Sequence, residues 1–366
     1  MCGQKMGREE CSSPGYGAGM RATVLQGPHD IRVEQVPDPA LPGPSGIVVT
    51  VERTAICGSD LHLYHDAPTG AGIHLGHEAI GTVAEAGTEV HTVKVGDRVL
   101  VSGVIGCGLC RPCVSGYPNL CEAGETAAFG TLPNLPGGQA EAMAVPFADR
   151  FVLPIPEGLS DEAAVLLTDI LPTGYVGALR ANIAPGSTVV VVGLGPVGIM
   201  ALQCAQLFSP SRILAIDMVP ERLARAERMG AEPIDAREAP GSQQVMMATA
   251  GRGADSVIEA VGADATIMEA VNCAASGGTV SIVGVNLKMD LPFPMALVLL
   301  KSLTVRAVFA PIPSTWPALV PLVQSGRFEL LETFTHHMGL SRAAEAYELF
   351  DSRSDGVLKV LLNTND

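Results

Sequence analysis

Five of the nine cysteines stand in patterns that suit a metal. Cys107, Cys110, Cys113 and Cys121 form C-x2-C-x2-C-x7-C, and Cys57 lies upstream of the tripeptide Gly76-His77-Glu78. Four thiolates this close together can close a tetrahedral shell around Zn²⁺, which favours soft sulfur, and a closed shell leaves no position for a reactant. That run reads as a structural zinc site. Disulfides are the competing account, but cysteines so near in sequence rarely meet disulfide geometry, and nothing else points to an oxidising compartment. A lone cysteine joined at a distance by a histidine and a glutamate, Cys57 with His77 and Glu78, is the donor set of a zinc that keeps one position open for water or substrate.

Next to Cys57, the stretch Ala55-Ile56-Cys57-Gly58-Ser59-Asp60-Leu61-His62 gathers polar side chains around that candidate metal. Zinc lowers the pKa of a hydroxyl that it binds, so its proton needs a way out. Ser59 would accept that proton and His62, one turn further toward solvent, would pass it on. Asp60 would hold the ring of His77 in the ligating tautomer. A helix cap or turn pair is the competing account of Ser59 and Asp60.

A second constellation concerns a dinucleotide. The apolar run Val189 to Val192 is followed at once by Gly193-Leu194-Gly195-Pro196-Val197-Gly198 and a helical stretch to about Phe208. A second strand, Arg212–Asp217, ends on an acid, and a helix begins at Pro220 and stops before Gly230. G-x-G-x-x-G alone is a weak signal; a strand before it, a helix after it and an acid at the next strand end are the context it needs. Gly193 allows the tight turn, Gly195 lets a pyrophosphate approach, and Gly198 lets the helix pack on the sheet, with Pro196 and Val197 opening the helix toward the phosphates. Asp217 would bind the adenosine ribose and repel a 2′-phosphate, which predicts NAD rather than NADP, and Arg222 would brace that ribose.

The elements that must hold these groups follow two grammars. A chain of 366 residues, 47% hydrophobic and 17% charged, is long enough for two domains. Residues 20–170 alternate short β-rich stretches with Gly and Pro, which predicts a mostly antiparallel, barrel-like unit with a zinc-pinned lobe at 103–125. Residues 171–310 alternate strands and helices, which predicts a doubly wound parallel sheet. Residues 311–366 return to helices and a strand and are expected to complete the first unit. Residues 1–19, which include Cys2 and Cys11, read as a flexible extension. A net charge of −15 with no basic stripe argues against nucleic acid. No run reaches the span of a bilayer, and no secretory apolar region opens the chain, so a cytoplasmic protein is expected. His65, His74 and His91 have no spacing that recruits them, and Trp316 reads as packing.

These residues together resemble the zinc-dependent medium-chain alcohol dehydrogenases, from Met20 to the C-terminus. The resemblance rests on Gly76-His77-Glu78 with Gly81, Gly87 and Val90, on the four-cysteine lobe, and on Gly193 to Gly198 with Asp217. It implies an α/β chain with a GroES-like catalytic domain and a Rossmann domain, two zincs per chain, NAD, and a small alcohol, aldehyde or ketone as substrate. It further implies Asp169 as the third protein ligand of the catalytic zinc, Thr173 in contact with the coenzyme, and Lys359 near the pyrophosphate, a plain surface lysine being the competing account. Gly103, four residues before Cys107, occupies a place where several relatives carry a bulky aromatic, which predicts a widened pocket. The Thr168–Tyr175 wording, with Asp169 in it, is similar to the formaldehyde dehydrogenase and dismutase branch, although the longer insertion of that branch is missing. The expected activity is hydride transfer between an alcohol and NAD. A small-aldehyde dehydrogenase or dismutase is the alternative within the family, and an inactive binding or structural descendant the alternative of another class. Relatives associate through their Rossmann sheets, so a homo-oligomer is expected, a tetramer before a dimer.

Overall fold

Short runs of β-branched residues broken by Gly and Pro build the antiparallel framework expected of them, and the computed structural model describes residues 19–66 and 71–366. The expected N-terminal extension, with Cys2 and Cys11, lies outside the described residues apart from Gly19. Strand Ile47–Ala55 pairs antiparallel with Ala79–Ala86, Ala142–Val145 and Val360–Asn363. Ala79–Ala86 continues the sheet to Arg98–Val101, which pairs with Val152–Pro154. The last strand, Val360–Asn363, also takes His336–Gly339 as a parallel neighbour, so the end of the chain completes a sheet that its first hundred residues began. Ile47, Val49, Val51, Val83, Val99 and Val101 are buried together in its core. A hairpin of Met20–Gly27 with Asp30–Val36 covers one flank and pairs with the short strand Ile73–His74.

The middle of the chain forms a six-stranded, wholly parallel sheet. Its spatial order is Glu232–Asp235, Arg212–Asp217, Thr188–Val192, Ala254–Glu259, Ala274–Ile282, Thr304–Ala307. Thr188–Val192 is buried along its length, as a valine run covered on both faces by helices must be. This is the dinucleotide-binding order, in which the strand order reverses between Thr188–Val192 and Ala254–Glu259. Helix Pro220–Arg228 starts on a proline and stops at Gly230, whose φ of +83° suits glycine. There Ala231 N–H donates to Ala226 O and Gly230 N–H to Glu227 O, the paired bonds of a Schellman stop.

The two units share a core through helix Ile170–Arg180, which begins directly after Asp169 and packs on helix Pro196–Gln206. Gly174 permits that contact, since a Cβ there would lie 2.6 Å from Ala201 N. Trp316, read as packing, is buried and donates from Nε1 to Leu167 O at 3.0 Å, fastening helix Ile312–Gln324 to the same junction. Among the described residues no helix is long and apolar enough to cross a membrane.

Candidate active site and metal centres

Pairing of strands Ile47–Ala55 and Ala79–Ala86 is what brings Cys57 to His77 and Glu78. Ala55 N–H donates to Glu78 O at 3.1 Å, and Thr54 Oγ1 donates to the same carbonyl at 2.7 Å. Asp169 arrives from the head of its helix. Its Oδ2 lies 3.4 Å from Cys57 Sγ and 3.4 Å from His77 Nε2. Zinc bonds of 2.0–2.3 Å make the edges of a tetrahedron about 3.3–3.8 Å long, so these separations are those of ligands on one metal. Donor atoms of Cys57, His77, Glu78 and Asp169 all lie within 4.8 Å of one another.

Glu78 Oε2 is buried and has no hydrogen-bond partner, a costly position for a carboxylate oxygen unless a cation meets it. The residues present therefore fit zinc. Burial works against a charged imidazole at His77, but Asp60, Cys57 and Asp169 outweigh it and raise the pKa of that ring well above its ordinary value. Burial likewise opposes the Asp169 carboxylate, while contact with His77 and the charge of Lys359 hold its pKa below the usual range. The set is asymmetric in exposure. Cys57, His77 and Glu78 are buried, whereas Ser59 and Asp169 are half-buried and Gly58 is exposed, so access is from the Ser59 side.

Asp60 is buried with Oδ1 3.2 Å from His77 Nδ1, while Oδ2 accepts from Cys57 N–H at 2.9 Å. The same carboxylate thus braces two members of the metal set. Ser59 Oγ lies 3.4 Å from His77 Nε2, on the more exposed side of this donor cluster. His62 is exposed, and its N–H donates to Ser59 O at 3.2 Å, which puts both on one turn at the start of helix Asp60–Asp66. Sequence reading missed Gln139, which donates from Nε2 to Ala55 O and Asp60 Oδ2 and accepts from the buried hydroxyl of Tyr347 at 2.9 Å.

Lys359 corrects two expectations at once. It is wholly buried rather than a surface lysine, and its Nζ is committed to Glu78 Oε1 at 2.7 Å and Ile56 O at 3.1 Å rather than free for a pyrophosphate. A buried ammonium needs such partners. Thr173 donates from Oγ1 to Asp169 Oδ1 at 3.3 Å, so its hydroxyl orients a carboxylate that could hold the metal. Gly103 sits beside the metal set for a backbone reason. A Cβ there would lie 2.7 Å from His77 O and 3.5 Å from His77 Cδ2, and its N–H donates to Thr168 O at 2.9 Å. The absence of a side chain lets the strand end approach the two ligand segments.

In the four-cysteine lobe the donor sulfurs lie within 4.8 Å of one another, and the described cysteines are all free thiols. Cys110 N–H points at Cys107 Sγ (3.3 Å) and Cys107 N–H at Cys121 Sγ (3.4 Å), the arrangement that stabilises thiolates. Between Cys107 and Cys121 the regular elements are helix Arg111–Val114 and a single turn at Pro118–Leu120, and Leu109 and Leu120 face solvent. Zinc held by Cys107, Cys110, Cys113 and Cys121 would supply the centre that this segment lacks.

At the dinucleotide turn, Gly193 has φ +86°, and a Cβ on Gly198 would lie 1.8 Å from Gly193 O. Gly195 faces open space, with Arg222 Nη1 its nearest neighbour at 3.8 Å from a Cβ placed there. Pro196 and Val197 begin the helix. Asp217 Oδ2 accepts from Leu194 N–H at 2.6 Å, and Oδ1 accepts from Met218 and Val219 N–H at 2.7 and 2.9 Å. Asp217 thus ties the glycine turn to the next helix. Arg222 is partly buried, and its Nε has no partner.

Comparison with known proteins agrees with this geometry. Residues 43–157 match the family model of the alcohol dehydrogenase GroES-like domain, and residues 196–325 that of zinc-binding dehydrogenases. The chain is 48% identical over 344 residues to a probable zinc-binding alcohol dehydrogenase of Mycobacterium tuberculosis, covering 94% of this chain and 88% of that one. It is 36% identical over 356 residues to a zinc-type alcohol dehydrogenase of Aspergillus flavus, covering 95% and 82%. Among solved structures, an alcohol dehydrogenase from Thermus sp. ATN1 superposes with a TM-score of 0.87 at 40% identity, covering 94% of this chain and 99% of that one.

Proposed function

Since the chain belongs to the zinc-dependent medium-chain alcohol dehydrogenases, a family of oxidoreductases, we propose that it interconverts an alcohol and its aldehyde or ketone with NAD. The observation that carries this reading is the cluster of Cys57, His77, Glu78 and Asp169 with its open side at Ser59. When bound there, zinc supplies Lewis acidity to the alcohol oxygen, and NAD accepts the hydride. Asp60 fixes the His77 ring and the Cys57 backbone. Ser59 takes the hydroxyl proton, and His62, exposed on the same turn, releases it to water. The turn from Gly193 to Gly198 leaves room for a pyrophosphate at Gly195, and Arg222 faces it. Asp217 carries the preference for NAD, because a 2′-phosphate would meet its carboxylate.

The test is coenzyme reduction with a panel of primary, secondary and aryl alcohols, run with NAD and with NADP. Turnover that vanishes in His77→Ala supports the reading; full activity in that variant refutes it. The aspartate donor favours a second reading, oxidation or dismutation of a small aldehyde, which formate production from formaldehyde would reveal. The free edge of the parallel sheet, Thr304–Ala307, is largely exposed and flanked by exposed Leu299, Leu300 and Phe309. An edge of that kind suits pairing with a second copy, and light scattering would read the resulting homo-oligomer, a tetramer before a dimer.

A further inference from the structure

Away from the two cysteine-bearing clusters, three side chains from distant segments meet at the surface. His29 lies in the tight turn of the N-terminal hairpin, His65 in the last turn of helix Asp60–Asp66, and Asp351 in the last turn of helix Ala343–Ser352. His65 Nε2 is 2.7 Å from Asp351 Oδ1, and the rings of His29 and His65 are 5.1 Å apart. One donor atom from each residue lies within 4.8 Å of the other two. Two imidazoles and a carboxylate are a donor set that zinc and its neighbours among the divalent transition metals accept.

An exposed ion pair between His65 and Asp351 would account for two of these residues but not for the third. His29 adopts φ +58°, a left-handed conformation in which glycine or asparagine is the easier residue. Its N–H donates to Tyr64 O at 2.7 Å, and its ring packs edge-on against Tyr64 at 4.6 Å. The turn is thereby pinned to the helix with the imidazole held beside His65.

We propose that His29, His65 and Asp351 form a third metal site, which takes Zn²⁺ or a divalent transition metal of similar ligand preference. The site joins two helices that also brace the surroundings of the Cys57, His77, Glu78 and Asp169 cluster. Nearer the start of each, Asp60, five residues before His65, faces His77, and Tyr347, four before Asp351, bonds Gln139, which in turn bonds Asp60. A metal at the surface ties the ends of both helices together and restrains that network.

The experiment starts from protein already carrying zinc at both cysteine-bearing clusters and titrates Zn²⁺ against a chromophoric chelator. Wild type takes up one further equivalent. His29→Ala and His65→Ala each weaken that equivalent by at least about tenfold, as does Asp351→Asn, by analogy with the loss on removing even an outer partner of a ligand, while zinc content at the cysteine clusters stays the same. Absence of a further equivalent, or one that survives His29→Ala combined with His65→Ala, overturns the site. With zinc added, amide hydrogen exchange in helices Asp60–Asp66 and Ala343–Ser352 slows in wild type and not in the variants; unslowed exchange in wild type overturns the restraint.

Discussion

Lys359 Nζ and Glu78 Oε1 form an ion pair 2.7 Å long between two side chains with no solvent exposure, one at the end of the chain and the other beside His77. Burial disfavours the ammonium, yet Glu78 and, behind it, Cys57 and Asp169 keep the Lys359 pKa above its ordinary value. Removing one partner strands the other charge in the interior. Lys359→Met should therefore lower stability by about 3–5 kcal/mol in denaturant unfolding. Glu78→Gln added to Lys359→Met should recover part of that loss. An effect below 1 kcal/mol, the size of an exposed pair, would show that water reaches the site.

Loss of a metal donor should separate chemistry from folding. His77→Ala and Cys57→Ser are expected to lose the zinc of their cluster, one per chain, while the four-cysteine lobe keeps its own, and to abolish turnover with the far-ultraviolet circular dichroism unchanged. Asp60→Asn keeps the donors but loses the brace on His77, so zinc affinity or activity should fall by about 10–100-fold. Metal analysis together with steady-state kinetics checks both.

Asp217→Ala removes the carboxylate that would oppose a 2′-phosphate and also frees three backbone N–H groups that it now satisfies. The ratio of kcat/KM for NAD to that for NADP should fall, with KM for NAD rising because the turn at Leu194 loosens. An unchanged ratio would confine Asp217 to its turn-binding role.

Gly103→Ala tests whether that glycine sets pocket width or backbone approach. A methyl group aimed at His77 O would push the ligand segment away, so activity on ethanol and on secondary or aryl alcohols should drop together and zinc should be lost more readily. Selective loss on the bulkier alcohols, with zinc retained, would restore the pocket reading.

Asp149 gives a pH dependence whose sign follows from its partners. Some burial raises its pKa, but the Thr92 hydroxyl and the Thr92 and His91 N–H groups lower it further, and the net value is depressed. A depressed carboxylate contributes stability above its unfolded pKa of about 3.9 and loses it as pH falls through the folded value. The stability difference between wild type and Asp149→Ala should be constant near neutrality and shrink below about pH 4. Denaturant unfolding across pH reads it directly.

Short-range spacing was enough to determine the cysteine cluster, the turn from Gly193 to Gly198 and the stop at Gly230, because neighbouring sulfurs, tight glycine turns and left-handed glycines are decided within a few residues of backbone. The strand Arg212–Asp217 and the acid at its end were legible for the same reason, and the valine run announced a strand buried on both faces. Asp169 became legible only through resemblance, since no local pattern distinguishes it from an ordinary helix-start aspartate. Pairings across the chain were decided by tertiary structure alone. Lys359 reaches Glu78 over a separation of 281 residues, and Tyr347 reaches Gln139 over 208, because the strand Val360–Asn363 returns to Ile47–Ala55 and carries its neighbours with it. His65 carried no recruiting spacing, and it meets Asp351 only because two helices and a hairpin turn end at the same patch of surface. Side-chain periodicity says which face of an element is buried, and the partner waiting there depends on how the sheets close.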